Sequence, residues 1–148
     1  MKGLILCLLS AEVALATEPH WTELGKKTNF DERAGVKEEQ YQSIDDNSFQ
    51  RVGELIVANV RTVTQTTYPS GEWVESVSVT KTGFNCNHRV QGPLQAPLSS
   101  SVVLHNVNGT VTDVTSALKA QFPPTKIGLT ADAGPDDKDF AYACSHKW

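Results

Sequence analysis

Two Cys-x-His pairs are the residues of this 148-residue chain best suited to chemistry. Cys86-Asn87-His88 and Cys144-Ser145-His146 each set a thiol and an imidazole two positions apart. On a strand that spacing puts both groups on one face. Two thiolates and two imidazoles would make a tetrahedral zinc set, and either pair could in principle offer a thiolate nucleophile beside a base. A disulfide competes with both readings. The usual zinc knuckles space their ligands differently, and an oxidising compartment favours the sulfur–sulfur bond. A Cys86–Cys144 bridge spans 58 positions and would contribute about 4 kcal/mol in the chain-entropy model. The disulfide is therefore the expectation. Zinc held by Cys86, His88, Cys144 and His146 is the lesser alternative, and no cofactor is expected.

The compartment is argued from the first residues. Lys2 gives a positive start, residues 4–9 (LILCLL) are apolar, Val13 to Ala16 continue the run, and Ala14-Leu15-Ala16 is a small-x-small cleavage pattern. These are the parts of an export signal, and the run is too short to span a membrane. Residues 1–16 are read as a signal peptide cleaved after Ala16, and residues 17–148 as one domain without a membrane-spanning segment. Cys7 leaves with the signal, so the mature cysteines are two. Cleavage removes one charge of each sign, Lys2 and Glu12, so the formal charge stays at −4. A mildly acidic chain with no basic run beyond Lys26-Lys27 is not a nucleic-acid binder.

Other catalytic patterns are missing from the sequence. There is no Gly-x-Ser-x-Gly, His-Glu-x-x-His, P-loop or dinucleotide fingerprint. His20, His88, His105 and His146 are scattered. Glu38-Glu39 and Asp45-Asp46 are adjacent carboxylates, which point to opposite faces of a strand. Asp132, Asp136, Asp137 and Asp139 miss the spacing of a calcium loop. No catalytic residue is assigned, and the chain is read as non-enzymatic.

The elements that position the cysteines are mostly strands. Residues 17–35 read as a short strand with Trp21 as a core anchor, then a loop. Residues 36–50 carry Val36, Tyr41 and Ile44 without a clean period, and Asp45-Asp46-Asn47 mark a turn. Residues 55–63 (LIVANVRTV) are a central strand between Gly53 and Tyr68-Pro69-Ser70-Gly71. Residues 73–86 form a second, with Trp73, Val77 and Val79 on one face and Val74, Phe84 and Cys86 on the other. Gly83 suggests a bulge, and residues 88–91 a brief extension stopped by Gly92-Pro93. Val102-Val103-Leu104 is a strand. Asn108-Gly109 is a hairpin turn, although Asn108-Gly109-Thr110 also fits a glycosylation acceptor. A short return strand and a helical turn then run to Pro123-Pro124. A helix over 135–145 would place Phe140, Ala141 and Cys144 on one face, with Cys144 tying it to the sheet. Strands in sequence followed by a helix imply an antiparallel α+β domain.

The order of certain motifs resembles the surface-adhesin protein E family of exported bacterial proteins. They are Trp21-Thr22-Glu23-Leu24-Gly25, Tyr41-Gln42-Ser43-Ile44, Phe84-Asn85-Cys86, Asn108-Gly109-Thr110-Val111 and Ala143-Cys144. The resemblance covers nearly all of the mature chain. It departs from the family pattern in residues 118–134, which lack a tryptophan before the last helix, and in Trp148. The resemblance implies a curved antiparallel sheet of about six strands with a short C-terminal helix held by the disulfide. It also implies adhesion to host matrix proteins such as vitronectin and laminin. No binding residue transfers through these motifs. The expected function is thus binding of a host matrix or envelope protein, in the periplasm or at the bacterial cell surface, and a homodimer is compatible with it. A periplasmic structural or assembly factor without host ligand is the alternative, followed by the small zinc-binding protein.

Overall fold

In the computed structural model, residues 17–119, 126–129, 131–134 and 137–148 are described. Residues 1–16, the expected signal peptide, together with Pro123-Pro124 and positions 135–136, lie outside them. The strands are β1 (Trp21–Asp31), β2 (Val36–Asp45), β3 (Gln50–Val52), β4 (Leu55–Thr67), β5 (Trp73–Asn85), β6 (Val90–Pro93), β7 (Ser99–His105), β8 (Val111–Asp113) and β9 (Ala131–Asp132). Two short helices join them, α1 (Thr115–Lys119) and α2 (Lys138–Cys144). Six strands run edge to edge in the order β1-β2-β4-β5-β6-β9, while β3 pairs with β4 and the β7–β8 hairpin pairs with β5. All pairings are antiparallel. The fold is the expected α+β sheet with a C-terminal helix.

The Val- and Thr-rich runs of β4 and β5 make the longest pair, in unbroken register from Ile56↔Phe84 to Thr67↔Trp73. β-branched side chains suit this pleated surface because their restricted χ1 costs least there. The core forms at one end of the pair. Ile44, Ile56, Ala58, Val60 and Phe84 project from one face of the sheet and pack with Ala133, Phe140 and Ala143. A helix as short as α2 does not hold itself together. It is fixed by this packing and by the Cys86–Cys144 disulfide, whose Cα atoms lie 5.8 Å apart.

The structure corrects several expectations. Residues 21–45 form a long hairpin, β1–β2, rather than a short strand and an irregular stretch, and the expected turn at Asp45-Asp46-Asn47 follows it. Its outer part is built from Lys26, Lys27, Thr28, Asn29, Lys37, Glu38, Glu39 and Gln40. Away from the core neither face needs apolar residues, so no alternating pattern appears. Asp31 closes its turn by accepting the Arg33 and Ala34 N–H groups at 2.9 and 3.2 Å. Trp21 is half-buried beneath the Arg61 guanidinium instead of anchoring the core. The bulge falls between Glu23 and Gly25, and the register through Gly83 is regular. Gly83 instead permits close packing, since a Cβ there would come 2.8 Å from Leu94 Cδ2.

Residues after Cys86 do not extend β5. The chain reverses with Arg89 in the left-handed region (φ 53) and returns as β6, which contains Gly92 and Pro93. The Asn108-Gly109 hairpin is present, closed by Asn106 N–H to Thr110 O at 2.9 Å. Gly92 is buried, and a Cβ there would sit 1.9 Å from the Gly128 carbonyl oxygen. Backbone atoms cannot rotate away as a side-chain tip can. Gly92→Ala is therefore expected to cost about 1–3 kcal/mol in urea unfolding, with faster amide exchange in residues 126–129. An unchanged midpoint would show that this crossing is not tight.

Candidate binding surface

Side chains on alternate residues of β4 divide between two environments. Ile56, Ala58 and Val60 face the helix side. Arg61, Val63 and Gln65 face the other, beside Ser43, Tyr41 and Glu39 of β2 and Val79, Val77 and Glu75 of β5. α2 packs against β1, β2, β4 and β5, but it is only about 10 Å long, whereas β4 extends for about 43 Å. On the face away from α2, Leu94 and Leu129 close over Gly83, where its cross-strand partner Val57 is buried. The rest of that face is a half-exposed surface carrying Tyr41, Val63, Val77 and Trp73.

A shallow groove of about 420 Å³ lies there, lined by Glu23, Gly25, Lys26, Tyr41, Gln42, Ser43, Arg61, Val63 and Gln65. Arg61 is held at two points. Its Nε donates to Ser43 Oγ at 3.2 Å, and its guanidinium carbon is 4.7 Å from the Trp21 ring centre. Along the groove, Glu39 receives Lys37 Nζ at 2.7 Å, Lys26 Nζ at 2.9 Å and the Tyr41 hydroxyl at 3.1 Å. Hydrogen bonds from Lys37, Lys26 and Tyr41 lower its carboxyl to about 2. Gln65 Nε2 donates to Glu75 Oε2 at 2.9 Å, and farther out the Trp73 and His105 rings stack at 3.6 Å. Aromatic and Arg side chains on a rigid sheet are the residue types that carry affinity in protein interfaces.

A second polar cluster joins the helix to the start of the sheet. Tyr142 Oη donates to Asp46 Oδ1 at 2.8 Å, while the Thr22 hydroxyl and His20 Nδ1 meet Asp46 Oδ2. Asp45 accepts the His20 and Asn47 N–H groups at 2.9 and 3.0 Å, holding the turn that carries Asp46. Donation to Asp46 pushes the Tyr142 hydroxyl above its ordinary value, so it is not activated for proton transfer. The cluster is a tether. Partial burial raises the Asp46 carboxyl, but hydrogen bonds from Thr22, Tyr142 and His20 outweigh it, and the net shift is downward. A carboxyl lowered on folding stabilises above its unfolded value near 3.8 and loses that contribution as pH falls through the folded value. Buried Asp139 is shifted upward by burial and acts in the opposite sense. Asp46→Asn is therefore expected to remove part of the stability loss between pH 5 and pH 2, seen as a shallower fall of the urea midpoint. Identical pH profiles for both proteins would show that the tether carries no linkage.

The residues singled out in the sequence separate. Cys86 and Cys144 are bonded to each other, so the four-residue zinc set loses both thiolates. His146 stacks on Phe49 at 3.8 Å, and His88 is exposed in the turn before β6. Among the described residues, no group of three or more His, Cys, Asp or Glu side chains is placed to hold a metal ion, and no helix is long and apolar enough to cross a membrane. The Trp21–Arg61–Ser43 arrangement was not found from the sequence. Its one trace in the sequence is a basic residue, Arg61, within a valine-rich strand. No family model, curated protein or solved structure matches the chain at a significant level.

Proposed function

We propose that the chain is an exported, non-enzymatic protein-binding module of the surface-adhesin E kind. It would act in the periplasm or at the cell surface, with its partner on the sheet face opposite α2. The observation that carries this reading is the length of β4 and β5 beyond their core. Together with β2 they expose Tyr41, Val63 and Val77 around a guanidinium that two contacts hold in place. Half-exposed apolar and aromatic groups interspersed with polar ones are what a protein interface uses at its centre and rim. The disulfide agrees with an oxidising compartment. The order of motifs from Trp21 to Cys144 favours host matrix proteins as partners.

Immobilised vitronectin and laminin at physiological salt test this. The oxidised protein, residues 17–148, is expected to be retained on at least one of them. Tyr41→Ala with Val63→Glu is expected to weaken retention about tenfold or more, with the urea midpoint nearly unchanged. Failure of the wild-type chain to bind either protein refutes adhesion. Capture by an envelope protein of its own cell instead would make it the assembly factor. Amino-terminal sequencing of the exported protein should begin at Thr17, and a start at Met1 would refute cleavage after Ala16.

A further inference from the structure

We propose that Arg61 is a carboxylate-receiving site, and that the groove takes an extended acidic segment of a partner protein through it. The inference rests on the proposed function and names the chemistry of the contact. Among the described residues the ion pairs are His20–Asp46, Lys26–Glu39, Lys27–Asp137 and Lys37–Glu39. Lys26 is thus committed to Glu39, and Arg61, which also lines the groove, has no carboxylate. Glu23 is the opposing charge there. It pairs with Ser43, which pairs with Arg61, so it stands two strands away, about 10 Å by strand spacing.

Arg61 is also prepared for a partner. Ser43 Oγ uses its Nε, and the centre of the Trp21 ring lies 4.7 Å from the guanidinium carbon. That leaves a guanidinium fork whose position is already fixed, so little side-chain entropy remains to be lost on pairing. A guanidinium fork matches a carboxylate in two parallel hydrogen bonds. In a chain of formal charge −4, a groove whose uncommitted cation is this one favours a negative group by local complementarity.

The neighbouring residues set the shape of the ligand. Arg61 and Val63 are two residues apart on one strand, and Tyr41 stands opposite Val63. Their side chains therefore lie about 7 Å apart on one face, the repeat of alternate residues in an extended peptide. An acidic side chain on Arg61 would put the residue two positions along against Val63 and Tyr41. An apolar residue there completes the contact.

The capped peptide acetyl-Val-Thr-Glu-Thr-Val-amide tests this by NMR on the isotope-labelled oxidised chain. The expected result is movement of the Arg61 Nε–H and of the Tyr41, Ser43 and Val63 amides. Replacing the Glu of the peptide by Gln should weaken binding about tenfold or more. Arg61→Lys, which keeps the charge and loses the fork, should weaken it by a similar factor, with the urea midpoint confirming the fold. Equal binding of both peptides, equal binding by Arg61→Lys, movement confined to other residues, or no movement up to the solubility limit each overturn the proposal. So does a heparin tetrasaccharide that moves the same signals at lower concentration than the peptide. Matrix retention that survives Arg61→Lys overturns this inference alone, whereas peptide binding without matrix retention overturns only the adhesion reading.

Discussion

Replacing Cys86 and Cys144 together by serine is expected to lower the unfolding free energy by about 4 kcal/mol. The bond closes a loop of 58 positions, and opening it returns that loop's freedom to the unfolded chain. The native state gains nothing in exchange. α2 has 7 residues, too few to persist without tertiary contacts. It brings Phe140 and Ala143 to the core and Tyr142 to Asp46, so these contacts must hold it alone once the bond is gone. Urea unfolding of the oxidised wild type and the double variant measures the difference. Amide exchange should show 138–144 opening before β4 and β5. A difference below about 1 kcal/mol would mean that packing alone fixes the helix.

Phe84→Ala is expected to cost about 3–5 kcal/mol. Phe84 is fully buried, stands opposite Ile56 in the register, and its ring lies 6.3 Å from that of Phe140. Truncation leaves a void between the sheet and α2, and the disulfide two residues on prevents the helix from settling into it. The effect should therefore be non-additive with loss of the bridge. In the absence of the disulfide α2 can shift, and Phe84→Ala should cost less. Thermal or urea unfolding of the four proteins in the cycle gives the coupling. Strict additivity would show that the helix does not move. Val57→Ala, on the opposite face beneath a smaller cover, should show no such coupling.

How far the sequence announced this fold depends on burial. β4 and β5 were legible because their apolar residues meet a core or a half-covered face, and that leaves alternation in the chain. The Asn108-Gly109 turn was legible because Gly109 takes the left-handed conformation there (φ 84) and the Asn108 side chain accepts the Thr110 N–H. The disulfide followed from the cysteine count and the expectation of export. The β1–β2 hairpin was hidden because Lys26 to Asn29, Lys37 and Glu38 face solvent while the half-buried Glu39 and Gln40 are polar too, so the run shows no apolar alternation. The return of the chain at Arg89 was hidden because a non-glycine residue takes the left-handed conformation there. The Arg61 site was hidden for another reason: Trp21, Ser43 and Arg61 come from three strands, and only the register aligns them.

The bulge between Glu23 and Gly25 has a consequence for how molecules of this protein meet. Among the described residues, β1 is the outermost strand of the path and pairs only with β2. A long free edge of this kind invites end-on stacking of sheets into fibrils. The bulge breaks the ladder on that edge, and Lys26 and Lys27 follow directly after it, so an incoming strand meets a kink and then two like charges. The β1 edge is thereby insulated from self-templating, and a neighbouring molecule finds the broad side of the sheet easier to approach than this border.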